Sequence, residues 1–115
     1  MTAPGPGTDQ ESYVEAVLQV VEAIPPGRVA TYGDIAEAVG RGGPRQVGQV
    51  MALHGGAVPW WRVVRADGSP ARGHELEALD LLAAEGTPLR GSRVVLTEAR
   101  AALLACFRRP QPDTS

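Results

Sequence analysis

Apolar residues recur along this chain in stretches of helical spacing, separated by glycine and proline, with two short β-branched runs between them. After Asp9 or Ser12, either of which can cap a helix, Tyr13, Val14, Val17, Leu18, Val20, Val21 and Ile24 form one stripe of period 3.6. Pro25-Pro26-Gly27 ends that helix. Arg28-Val29-Ala30 reads as a short extended piece, and Thr31-Tyr32-Gly33-Asp34 has the form of a capping box, a hydroxyl at the cap and an acid three residues on. Ile35, Ala36 and Val39 continue a short helix to Gly40. Pro44 suits the first turn of the next helix, which the pattern carries to about Leu53. Two short helices across the link Arg41-Gly42-Gly43 make a helix-turn-helix candidate.

The second of these helices has an unusual outer face. At 100° per residue, Val47, Val50 and Met51 fall together and point to the core, leaving Arg45, Gly48, Gln49 and Ala52 outside. Small residues there let another backbone approach, and either a packed helix or a nucleic-acid groove meets that description. Further on, Val58-Pro59-Trp60-Trp61-Arg62-Val63-Val64 reads as a stiff aromatic turn leading into a strand. On an extended segment adjacent side chains point to opposite sides, so one indole is expected in the core and the other on a surface or cavity. Ala66-Asp67-Gly68-Ser69 looks like a turn. Leu76, Leu79, Leu82 and Ala83 mark another amphipathic helix ending at Gly86, and the Val-rich runs 62–64 and 93–96 are expected to share one small sheet. Thr97 with Arg100 to Phe107 suggests a last helix. The expected architecture is mainly α with a small β wing: a single domain over residues 9–107, between a disordered tail at 1–8 and a mobile one at 108–115.

The length allows one core and no second domain. A formal net charge of −2 argues against a bulk polyanion binder, but the charge is unevenly placed. Four acids and no base precede Arg28, whereas Arg28, Arg41, Arg45, Arg62, Arg65 and Arg72 face only Asp34, Glu37 and Asp67 in the middle block, which is therefore +3. Every basic side chain is arginine, which gives planar contacts to phosphate and stacks on bases. Cys106 is alone, so neither a disulfide framework nor a cysteine-based metal site is expected, and no cofactor is implied. No apolar run nears membrane-spanning length and no signal-peptide pattern opens the chain, so a cytoplasmic protein without membrane contact is expected; a monomer is expected as well.

Several segments in order resemble the DNA-binding domain of the O6-alkylguanine-DNA alkyltransferases: Ile24-Pro25-Pro26-Gly27-Arg28-Val29, Thr31-Tyr32-Gly33-Asp34-Ile35-Ala36, Arg45-Gln46-Val47-Gly48-Gln49-Val50-Met51, Pro59-Trp60-Trp61-Arg62-Val63-Val64 and Ala84-Glu85-Gly86. The resemblance covers roughly residues 12–96 and implies that family's winged helix-turn-helix-like C-terminal domain. The repair enzymes carry Pro-Cys-His-Arg-Val where this chain has Pro59-Trp60-Trp61-Arg62-Val63. Indole offers no thiolate to accept an alkyl group, and no general base stands beside it. A tryptophan at the cysteine position resembles the alkyltransferase-like members, which bind alkylated guanine without repairing it and pass the lesion to nucleotide excision repair. Their usual pattern is Pro-Trp-x-Arg-Val with a polar third residue, from which Trp61 departs.

That resemblance implies a partner, double-stranded DNA containing O6-alkylguanine, and roles for particular residues. Tyr32 would press on the phosphate 3′ to the target, Arg45 would fill the gap left by the flipped base, and Gly48, Gln49 and Ala52 would lie in the minor groove. Trp60, Trp61, Arg62 and Val63 would form the lesion pocket, with Arg72 stacking on the extruded purine. His54 stands where the enzymes have an asparagine closing the recognition helix. Excision-repair damage-recognition proteins are the implied protein partners. The alternatives are a residual alkyltransferase and a winged helix-turn-helix regulator reading undamaged sequence.

Overall fold

The computed structural model describes residues 6–102, with side chains from residue 11 onward. Helix α1 runs Pro6–Glu22, strand β1 Ala30–Thr31, α2 Tyr32–Val39, α3 Pro44–His54, strand β2 Val63–Val64, α4 Glu75–Ala84, strands β3 Leu89–Arg90 and β4 Arg93–Val94, and the one-turn α5 Leu96–Ala99. Two single 3₁₀ turns, Gly55–Ala57 and Trp60–Arg62, lie between α3 and β2. The mainly helical architecture with minor β structure follows the expectation. Helix α1 begins at Pro6 rather than at Asp9 or Ser12, so residues 6–8 of the expected tail are helical. Proline is tolerated there because the first-turn N–H groups have no intrahelical partner.

The capping box forms as the sequence indicates. Thr31 Oγ1 accepts from the Asp34 amide at 3.0 Å, and Asp34 Oδ2 accepts from the Thr31 amide at 3.1 Å. Gly40, at φ 92°, closes α2 in the left-handed region that suits glycine. Gln46 reaches back to the Gly43 amide at 2.9 Å, which fixes the start of α3. Helices α1, α2 and α3 pack around Val17, Val21, Ile24, Ile35, Val47 and Val63, all essentially sealed from solvent. A second, smaller cluster gathers Val29, Val64, Leu82, Val94 and Ala99, with Trp61, Leu89 and Leu96 packed against it.

Three expectations are corrected. The runs 62–64 and 93–96 do not share a sheet: β2 pairs in parallel with β1, while β4 pairs with β3 in a separate hairpin. Their link is a turn, in which the Val94 amide donates to the Gly68 carbonyl at 2.9 Å. Gly68 has φ 88°, and a Cβ there would lie 2.5 Å from the Val94 carbonyl oxygen, so only glycine lets the loop approach so closely. Second, the chain leaves helical geometry at Arg100, whose backbone is extended and bridges to Val29. Pairing with the core strand region wins there over local helix propensity; the expected continuation from 103 to Phe107, with Cys106, lies outside the described residues, as does the tail 108–115. Third, Leu76 does not face the core; it is 81% exposed, and Ala78 and Leu82 carry the buried face of α4.

Candidate functional site

A hollow of about 520 Å³ opens between the C-terminal half of α3, the 3₁₀ turns and the start of α4. That volume falls within the roughly 300–1,000 Å³ typical of small-molecule pockets. Tyr32, Gly48, Met51, Ala52, Gly55, Gly56, Trp60, Ala71, Arg72, His74 and Glu77 line it. Of the residues expected at a site, Tyr32, Gly48, Ala52, Trp60 and Arg72 line this one hollow.

Each has a local reason for its place. Tyr32 is the first residue of α2, directly after the Thr31 cap, so the capping box fixes where its ring begins. The Arg100 guanidinium holds the capping acid in turn, donating to both Asp34 oxygens at 2.8 Å. Burial alone would raise the Asp34 pKa, but the hydrogen bonds from Arg100 and Thr31 and the Arg100 charge together bring it below the ordinary aspartate value. Burial also raises the Tyr32 pKa, only partly countered by the charge of Arg65, so the phenol keeps its proton as a donor at neutral pH. A Cβ added at Gly48 would meet nothing within 4 Å. No described element packs on that part of α3. Arg45, exposed in the first turn of α3, and Gln49, exposed on the second, share that helix but do not line the hollow.

The tryptophan turn divides the two indoles. Their rings meet edge to face, with centroids 5.8 Å apart and planes at 88°. Trp60 faces the hollow and meets His74 edge-on at 5.6 Å. Trp61 turns away and packs on the second core cluster beside Leu89 and Leu96.

The assignment of Trp61, Arg62 and Val63 to the pocket is corrected by this arrangement. Val63 is 1% exposed, inside the main core. Arg62 stacks over Trp61 with its guanidinium carbon 5.3 Å from the ring centroid, and donates to Glu85 through Nε at 3.0 Å and to the Ile24 carbonyl at 2.9 Å. A second Arg62–Glu85 hydrogen bond completes a fork-to-carboxylate pair. Glu85 also lies 3.4 Å from the Gly27 amide. Hydrogen bonding from Arg62, the largest influence, outweighs burial and holds the Glu85 carboxyl below its usual pKa. Arg62 is thus a clasp joining the end of α4, the Pro25-Pro26-Gly27 turn and the tryptophan turn. The single turn of 3₁₀ helix, in place of extended chain, rotates successive residues by about a third of a turn and takes three neighbours in three directions.

His74, Glu77, Met51, Gly55, Gly56 and Ala71 join the lining without having been marked by the sequence. Only the three-residue spacing of His74 and Glu77 at a helix start hinted that they share a side. His54, the last residue of α3, lines a different hollow of about 420 Å³ between α1 and α3, together with Gln49 and Leu53. Among the described residues no group of three or more potential metal-ligating side chains gathers, and no helix is long and apolar enough to cross a membrane.

Residues 12–87 match the family model described as 6-O-methylguanine DNA methyltransferase, DNA binding domain. A DNA base-flipping protein of Escherichia coli K12 is 40% identical over 88 residues, covering 72% of this chain and 68% of that protein. Alkyltransferase-like protein 1 of Schizosaccharomyces pombe is 44% identical over 62 residues, 51% of this chain and 57% of that one. Among solved structures, S. pombe Atl1 in complex with damaged DNA containing O6-carboxymethylguanine superposes with a TM-score of 0.70 at 34% identity, covering 79% of this chain and 95% of that one.

Proposed function

This chain belongs to the family of the 6-O-methylguanine DNA methyltransferase DNA-binding domain, and from that starting point we propose that it binds duplex DNA carrying O6-alkylguanine, turns the damaged nucleotide into the hollow beside Trp60 and leaves the alkyl group in place. The observation that carries the reading is the hollow itself: Tyr32, Trp60 and Arg72 stand around a volume suited to a small flat ligand, next to a helix face left bare at Gly48. The names of the relatives, a base-flipping protein and a protein solved on damaged DNA, support it.

The physical sequence of events follows from the side chains. Extruding a base costs a few kcal/mol of pairing and stacking, less where an alkyl group has already weakened the pair. The bare face of α3 enters the minor groove, and the Tyr32 phenol donates to a backbone phosphate on the 3′ side of the target. Arg45, one turn ahead of Gly48, slides into the vacated stack as a wedge side chain does. Stacking of the purine against Trp60 and Arg72 returns about 1–3 kcal/mol per aromatic contact. No step transfers the alkyl group, because Trp60 occupies the place of the acceptor cysteine and its ring has no nucleophile of thiolate strength. The bound lesion, marked but unrepaired, is then handed to excision-repair damage-recognition proteins.

The test is a titration of fluorescent duplexes, with and without O6-methylguanine, by the wild-type protein and by Arg45→Ala. The lesion duplex is expected to bind at least tenfold more tightly. Arg45→Ala is expected to weaken it by more than about 1 kcal/mol, the scale of a lost stacking contact. Equal affinity for the two duplexes would refute the proposal.

A further inference from the structure

The hollow is lined by one carboxylate, and Glu77 has no ion-pair partner within it. Arg72 lines the same space, yet no salt bridge joins the two, and Glu77 makes none with any described residue. A carboxylate facing DNA repels the phosphate backbone, so Glu77 is not placed to hold the duplex. Its position in the first turn of α4, three residues beyond the His74 that touches Trp60, puts it on the wall of the hollow.

Resting on the lesion-binding reading above, we propose that Glu77 determines which O6 substituents the pocket accepts: it offsets the pull of Arg72 on anionic groups and favours neutral or cationic ones. Arg72 and Glu77 both line the hollow, so a charge carried by a bound purine's substituent meets the fields of both side chains. The flipped base displaces water from the hollow, which strengthens both interactions relative to bulk solvent. With Glu77 present, the charges of Arg72 and Glu77 nearly balance. With Glu77 neutralised, the pocket becomes positive and selects carboxylated adducts.

The experiment compares Kd for duplexes carrying O6-methylguanine, O6-carboxymethylguanine and O6-(2-aminoethyl)guanine, using the wild-type protein, Glu77→Gln and Asp80→Asn. Asp80 is exposed on the same helix and does not line the hollow, so its variant makes an equal change in net charge outside the site. Relative to O6-methylguanine, Glu77→Gln is expected to bind the carboxymethyl duplex about fivefold more tightly and the aminoethyl duplex about fivefold more weakly, with shifts under twofold for Asp80→Asn. The opposite signs for the two adducts are something a change in folding or shape does not produce. Unaltered ratios in Glu77→Gln, while the wild type still prefers lesions over plain DNA, would overturn this inference alone. Loss of any preference for lesions in the wild type would instead remove the lesion-binding reading, and this inference with it.

Discussion

Trp60 and Trp61 are neighbours in the chain and opposites in the fold. On the Trp61 side the space is filled: the ring packs on the second core cluster, Arg62 covers its face, and the arginine's donors go to Glu85 and the Ile24 carbonyl. On the Trp60 side the space is left open, walled by glycines and alanines, with Arg72, His74 and Glu77 lacking ion-pair partners among the described residues. Packing is completed on one side of a single turn of chain and left open on the other, the side that binds in the proposed function. A site of this kind is found where packing was left unfinished, and it is held in shape by the completed packing next to it.

The largest expected effect tests the filled side. Glu85→Ala leaves the half-buried Arg62 guanidinium without its carboxylate and loosens three segments at once. Breaking such a pair costs about 2–3 kcal/mol, below the full penalty of a deeply buried one. Urea denaturation should show that loss as a lower midpoint at unchanged m-value, while lesion affinity, measured where the variant is still folded, stays within about twofold. A variant that kept its stability but lost binding would place Arg62 and Glu85 on the wrong side of the division.

Trp60→Ala tests the open side. Lesion affinity should fall by about 2 kcal/mol, the scale of one base–aromatic stack, with a stability loss clearly smaller than that of Glu85→Ala, because Trp60 is only half-buried. The reverse ranking in denaturation would erase the distinction between the two indoles.

The smallest effect is the response to acid. Asp34 and Glu85 both have pKa values lowered by folding, so each stabilises the native state above its unfolded value and withdraws that contribution as pH falls towards the folded one. Stability should be level through neutral pH and decline below about 4.5, the ordinary glutamate value, then further below about 3.8, the aspartate one. In Glu85→Ala the first part of that decline should shrink, leaving the share of Glu75, whose carboxyl is also held below its usual value by backbone hydrogen bonds; a curve parallel to that of the wild type would show that the clasp contributes nothing to it.

The helices were readable because their signals are local. Thr31 and Asp34 lie three residues apart, Pro44 opens α3, Gly40 closes α2, and the apolar stripe of α1 needs only its own periodicity. The Arg62–Glu85 clasp was not readable, since its partners are 23 residues apart and nothing in either segment names the other. The resemblance groups Arg62 with the pocket through the shared Pro-Trp-x-Arg-Val pattern, and such a pattern does not say where each side chain points. Glu77 carries no signal in the sequence, because an acid in a first helical turn is ordinary; only the packing of α4 against the Trp60–Arg62 turn makes it a wall. The two valine runs suggested one sheet because strand pattern reports which segments are extended and not which pair.

The sequence by itself determined the side-chain chemistry available at position 60: an indole offers no thiolate wherever the ring points, and that follows from the identity of the residue alone. Tertiary structure alone decided which of two adjacent indoles meets the hollow, because one turn of 3₁₀ helix sends neighbouring side chains in directions that no periodicity read from the chain distinguishes.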